Sequence, residues 1–68
     1  MNRNNYNEAV VIESLPSVNF IVRFEDGTEM RAYLGGRLKQ HFIRINVGDT
    51  VVVFVPDQGN IGRITKRK

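Results

Sequence analysis

Cysteine and tryptophan are absent from this 68-residue chain, and histidine occurs once. Without cysteine there is neither a disulfide framework nor a thiolate metal site, the two usual staples of a mini-domain. That usage fits a reducing compartment. A lone His41 leaves any metal site to carboxylates, and the nearest acids have no ligand spacing around it, so no cofactor is expected. No apolar run approaches the roughly 18 residues needed to span a bilayer. The opening Met1-Asn-Arg-Asn-Asn-Tyr-Asn lacks the apolar stretch of a signal peptide. No membrane partner is expected.

Catalytic patterns are missing as well. Ser14 and Ser17 have no neighbours resembling a nucleophile elbow. Gly35-Gly36-Arg37 lacks the upstream glycine and the Lys-Ser/Thr ending of a phosphate-binding loop. Glu25 and Asp26 fall in a turn, where paired acids are ordinarily solvated. The chain reads as a non-enzyme. Its length allows one domain with one small core, burying only about 60% of the unfolded surface.

What is present is segregated charge. The formal net charge is +3. Residues 1–30 carry Arg3 and Arg23 against five acids, whereas residues 31–44 carry Arg31, Arg37, Lys39 and Arg44 with none. Residues 45–62 hold only Asp49 and Asp57, and residues 63–68 hold Arg63, Lys66, Arg67 and Lys68. Two acid-free basic segments form an electrostatic footprint for phosphate-rich partners if the fold unites them. The plainer reading is a solvated face and a basic tail.

Residues 9–15 are rich in β-branched side chains and stop at Pro16, which cannot donate to a ladder. Residues 18–24 alternate, with Phe20, Val22 and Phe24 on one face; residues 28–34 do so with Met30, Ala32 and Leu34. Directly paired residues share a face, so Phe24 meets Thr28, Val22 meets Met30 and Phe20 meets Ala32. The loop between them is therefore Glu25-Asp26-Gly27, with Gly27 where φ must be positive. Arg37 to Phe42 places Leu38 and Phe42 four apart, as one or two helical turns over a barrel end require. Arg37, His41 and Arg44 share the opposite face if that helix extends far enough. Asn46 to Asp49 is a turn, Thr50 to Val55 a fourth strand, and Ile61 to Lys66 a fifth.

Five short strands with a short helix between the third and fourth give an all-β, five-stranded OB-fold barrel. Residues 1–7 are read as a flexible polar segment with Tyr6 its one anchor, and residues 8–68 as the RNA-binding domain.

Strands two and three of such a barrel form an outer platform for nucleic acid. The candidate RNA-binding residues are Arg23, Arg31 and Tyr33 there, Arg37, Lys39, His41 and Arg44 in and after the helix, and Arg63, Lys66 and Arg67 in the fifth strand. Arginine pairs with phosphate or stacks on bases, and Tyr33 either stacks or covers a core edge. His41 is either an RNA contact or a plain helix-surface residue. With Val51, Val53 and Val55 inward, Val52 and Phe54 point out. Cover by the N-terminal segment or the Pro56 loop, a protein-contact patch, or an aggregation-prone apolar strand all fit them.

Several segments together resemble the bacterial-type translation initiation factor one family across nearly all of residues 8–67. They are Val11-Ile-Glu-Ser-Leu-Pro16, Phe20 with Val22, Glu25-Asp-Gly27, Ala32, Gly36-Arg-Leu-Lys39, Phe42-Ile-Arg-Ile45, Gly48-Asp49 and Gly62-Arg-Ile64. The resemblance implies an OB-fold that binds the small ribosomal subunit at its decoding (A) site. There it would contact ribosomal RNA and a neighbouring ribosomal protein, exclude elongator tRNA and work beside initiation factors two and three, as a monomer. The family's basic RNA-facing positions match Arg37, Lys39, Arg44, Arg63 and Arg67. Departures are Thr28 and Tyr33 where histidine is common, Gln40 at a frequently basic position, a shorter Pro56–Asn60 loop without its aromatic, and apolar Val52 and Phe54 at typically polar positions. The alternatives are a cold-shock-like RNA chaperone, or a protein-interaction module using Val52 and Phe54.

Overall fold

Five strands and one short helix follow one another along the chain: β1 (Tyr6–Leu15), β2 (Asn19–Phe24), β3 (Glu29–Leu34), α1 (Gly36–Gln40), β4 (Thr50–Phe54) and β5 (Ile61–Arg67). The structure, a computed structural model, describes residues 5–40 and 43–68. The strands close a barrel in the order β1-β2-β3-β5-β4, and β4 pairs back onto β1. Every ladder is antiparallel except that of β3 with β5. This is the OB-fold expected from the strand pattern, with its helix between β3 and β4.

β1 serves two ladders. Tyr6 to Val10 pair with β4, and Ala9 to Leu15 pair with β2, with a register shift between Val11 and Glu13 that bends the strand from one to the other. Inward positions alternate as the sequence demands. Ala9, Val11, Phe20, Val22, Ala32, Leu34, Ile45, Val51, Val53 and Ile64 form the buried core, with Phe24, Met30, Leu38, Ile43 and Val55 packed against it.

The β2–β3 hairpin has the register that parity requires: Phe20 opposes Ala32, Val22 opposes Met30 and Arg23 opposes Glu29. Phe24 N donates to the Thr28 carbonyl at 2.8 Å, and Gly27 N donates to the Phe24 carbonyl at 2.9 Å. Gly27 has φ 92°, a conformation that costs glycine little. Asp26 Oδ1 closes the turn by accepting from Thr28 N and from its hydroxyl, at 3.0 and 2.7 Å.

Several boundaries differ from expectation: β2 and β3 each begin one residue later, at Asn19 and Glu29, and β4 ends at Phe54 rather than Val55. β1 begins at Tyr6 rather than Ala9, because Tyr6 and Asn7 pair with Phe54 and Val53. α1 ends at Gln40, so Arg44 lies in the irregular segment after it, not on a helix face shared with Arg37. His41 and Phe42, and with them the expected Leu38–Phe42 spacing, lie outside the described residues; Leu38 itself is half-buried on the core. β5 runs one residue further than expected, to Arg67.

The β1–β2 turn holds two consecutive non-glycine residues at positive φ, Ser17 at 65° and Val18 at 58°. Asn19 Nδ2 donates to the carbonyls of Pro16 and Ser17, and the Val18 carbonyl accepts from Leu34 N, which fixes the turn. A β-branched residue in the left-handed region costs about 1–2 kcal/mol. Val18 is 42% exposed and recovers little of that by burial. Val18→Asn should therefore stabilise the domain by about 1 kcal/mol, since Asn tolerates that region. Thermal unfolding should show the midpoint rising by about 4–8 °C; an unchanged or lower midpoint would refute the strain assignment.

Candidate nucleic-acid interface

Strand pairing turns the outward residues into rows across the barrel. Asn19 opposes Tyr33, Tyr33 opposes Arg63, Arg63 opposes Phe54, and Phe54 opposes Tyr6, one residue from each strand. The Arg63 guanidinium carbon stands 5.2 Å from the centroid of the Phe54 ring, and the Tyr6 ring lies 5.2 Å from the same ring at 58°. A cation over an aromatic face and a tilted ring pair are both attractive arrangements. They also account for outward-pointing Phe54: Tyr6, from the N-terminal segment, covers it. Tyr33, the next residue in the row, is 42% exposed.

The adjacent row is Ile21, Arg31 and Ile61. In the third, Arg23 faces Glu29, and its Nη2 and Nε reach Glu29 Oε2 at 2.7 and 3.1 Å. Arg23 is thus committed to a cross-strand ion pair on the hairpin side. Arg31 and Tyr33 lie nearer the helix.

The two basic segments meet where β3 passes into α1. Gly35 N donates to the Ile64 carbonyl at 2.9 Å. A Cβ on Gly35 would stand 2.8 Å from that oxygen and 3.4 Å from Arg63 Cγ, so only glycine lets the chain pass this close to β5. The tight passage sets Arg37 beside Arg63, and both line a groove of about 460 Å³ with Tyr6, Gly36, Leu38 and Thr65. Lys39 lies in the exposed last turn of α1. A second junction forms further along: Arg67 Nη1 donates to the Arg44 carbonyl at 2.7 Å, while the next residue, Ile45, is buried in the core. Lys66 is exposed opposite Val52, and Lys68 Nζ pairs with Glu8 Oε2 at 2.7 Å.

Acids gather at the other end of the strands. Glu25 and Asp26 form the β2–β3 loop, Glu29 begins β3, and Asp57 lies in the loop before β5, which starts beside Arg31. The six residues of β3, about 20 Å at 3.3 Å per residue, separate that loop from α1. Of the residues nominated from the sequence, Tyr33, Arg37, Lys39 and Arg63 are brought together beside the helix, Arg31 stands partway along β3 opposite Ile61, Arg44 and Arg67 form an adjoining pair, Lys66 is exposed, and Arg23 is held by Glu29. His41 falls outside the described residues. Gly35 was missed, and Tyr6 and Phe54, though singled out as an anchor and an outward residue, were not placed at this interface. The outward parity of Phe54 was a signal for the ring stack, whereas nothing local marked Tyr6 as its cover.

Among the described residues no helix is long and apolar enough to cross a membrane. The sequence profile of the family described as translation initiation factor 1A / IF-1 matches residues 1–68. The chain is similar to the solved structure of translation initiation factor one from the Wolbachia endosymbiont strain TRS of Brugia malayi. That likeness has 29% identity and a TM-score of 0.75, over 93% of this chain and 76% of that one. A second solved structure, YjeQ from Thermotoga maritima, matches 93% of this chain at 26% identity and a TM-score of 0.75. This chain spans only 22% of the length of that protein.

Proposed function

The chain belongs to the translation initiation factor 1A / IF-1 family, and from that premise we propose that it binds the small ribosomal subunit at the decoding (A) site through ribosomal RNA. On this reading it blocks elongator tRNA there and assists initiation factors two and three. A neighbouring ribosomal protein is a further contact, the setting is the cytoplasm, and the barrel acts as a monomer whose RNA-binding unit is residues 8–68.

The observation that carries the reading is the union of two acid-free basic segments at one end of the barrel. Arg37 stands beside Arg63, and Arg67 is bonded to the Arg44 backbone. Lys39, Arg31 and Tyr33 extend the same face. Such a cluster attracts phosphates and positions the protein without reading base edges. Arginine forks suit phosphate oxygens, and the exposed Tyr33 ring offers a flat surface to an unpaired base. The opposite end carries Glu25, Asp26 and Asp57, besides Glu29 paired with Arg23, and this negative charge repels a polyanion and so orients the basic end toward RNA.

The cold-shock-like alternative calls for several aromatic residues stacked outward on β2 and β3. There Phe20 is buried and Phe24 is half-buried on the core, leaving Tyr33 as the outward ring. Phe54, the other feature behind an alternative reading, is engaged by Tyr6 and Arg63.

Co-sedimentation with isolated small and large ribosomal subunits tests the proposal. Binding to the small subunit alone, displaced by an A-site-directed competitor, is the expected result. With about four phosphate contacts, affinity should fall about a hundredfold between 50 and 200 mM salt. Equal binding to both subunits and to free RNA, or affinity indifferent to salt, would overturn it.

A further inference from the structure

At the hairpin end of the barrel, away from the basic cluster, lies a cavity of about 610 Å³. Its apolar walls are Phe24, Met30 and Val55, each only partly buried against the core, together with the exposed Tyr6. Its rim is acidic: Glu8, Glu25 and Asp26. A second hollow of about 480 Å³ shares Glu8, Phe24 and Glu25 and continues toward Val10 and Ile12. Sharing those residues, the two adjoin as one trough with an apolar floor, edged by carboxylates and, at Arg23, by a cation already paired with Glu29.

The rim charges are held ready. Hydrogen bonds from Thr28 keep the Asp26 carboxyl below its ordinary range, so it is ionised at neutral pH. Glu25 is exposed and has no ion-pair partner among the described residues, whereas Glu8 is paired with Lys68. Apolar surface inside a carboxylate rim rejects RNA and favours a cation-bearing chain with an apolar anchor.

We propose that this trough is a docking site for a basic peptide segment of another protein, with an aliphatic or aromatic side chain seated between Phe24, Met30 and Val55 and flanking Lys or Arg side chains paired with Glu25 and Asp26. The inference stands on this end of the barrel alone and is independent of the RNA reading. The two surfaces share Tyr6, which lines both hollows, while the Glu25–Asp26 rim and the Arg37–Arg63 pair lie toward opposite ends of β3.

The test uses the full chain and a capped synthetic peptide with one Phe flanked by Lys and Arg. Two control peptides are needed, one with Phe replaced by Ser and one with the basic residues replaced by Glu. Titrations are followed by amide chemical shifts at low salt. Shifts confined to Phe24, Glu25, Thr28, Met30 and Val55 are expected, with affinity falling about tenfold for the Ser peptide or for Glu25→Lys, and lost for the Glu peptide. Glu25→Gln, a milder change in the same exposed turn, should give an intermediate loss. RNA binding by Glu25→Lys, measured in parallel, should be no weaker than that of the parent chain. Shifts spread over all carboxylates, or equal affinity for the Phe and Ser peptides, would reduce the effect to unspecific charge attraction and overturn the proposal. So would the same shifts appearing on concentrating the protein alone, which would assign the trough to a second copy.

Discussion

Gly62→Ala should cost about 2 kcal/mol and lower the unfolding midpoint by about 10 °C. Gly62 is buried in β5, where a Cβ would stand 2.6 Å from Val53 Cγ1, 3.1 Å from Met30 Sδ and 3.3 Å from the Phe54 carbonyl oxygen. The methionine can yield, being unbranched and flexible. The valine cannot: its β-branch is stiff, and Val53 is wholly buried. Relief must then come from the backbone of β4 or β5, which disturbs the ladders on both sides. A domain this small has little stability to lose. The clash predicts its own remedy, because Val53→Ala removes the offending methyl. In a double-mutant cycle, Gly62→Ala with Val53→Ala should be less destabilised than the sum of the singles by about 1 kcal/mol. Strict additivity would mean that the close approach is not the cause.

Arg37→Ala combined with Arg44→Ala should weaken small-subunit binding about 10- to 100-fold and flatten the salt dependence by about two units of slope, while the unfolding midpoint stays nearly unchanged. Both side chains are exposed, and neither guanidinium makes a hydrogen bond or ion pair with another described residue. Surface changes of that kind alter stability by no more than about 0.5 kcal/mol. Arg67→Ala is the instructive contrast. Its guanidinium holds the Arg44 carbonyl, so its removal should weaken binding and also cost about 1 kcal/mol of stability. If Arg37→Ala with Arg44→Ala unfolds the protein, both arginines belong to the architecture rather than to recognition.

The barrel was largely legible in the sequence because its strands are half-buried and alternate. Phe20, Val22 and Phe24 against Met30, Ala32 and Leu34 leave one register that keeps both sets inside, and that register fixes the loop length and the place of Gly27. The same register opposes Arg23 to Glu29, yet its outward place on strand two put Arg23 among the RNA candidates. Distance along the chain was the main obstacle elsewhere. Tyr6 joins β1 because Phe54, 48 positions away, completes its pairing, and nothing in Asn5 to Glu8 announces this. Arg67 bonding to a backbone carbonyl at Arg44 is equally invisible, since every residue carries such a carbonyl. Val18 misled for a different reason. A β-branched residue argues for extended chain, and here the Asn19 bonds and the pull of Leu34 on its carbonyl override that preference.

The parallel pairing of β3 with β5 has a kinetic consequence. Between those strands lie α1, the irregular segment and all of β4, so the ladder that closes the barrel joins residues about thirty positions apart, Arg31 with Ile61 through Leu34 with Ile64. Non-local pairings of this kind put barrels among the slower two-state folders, in milliseconds to seconds. Until β5 inserts, β3 and β4 each present a bare edge, and the β4 edge is Thr50-Val-Val-Val-Phe54. During synthesis that edge waits for residues 61–67 to leave the exit tunnel before it can be covered. The barrel therefore completes as a late, all-or-none event, and the interval before it is when this small chain is most exposed to aggregation.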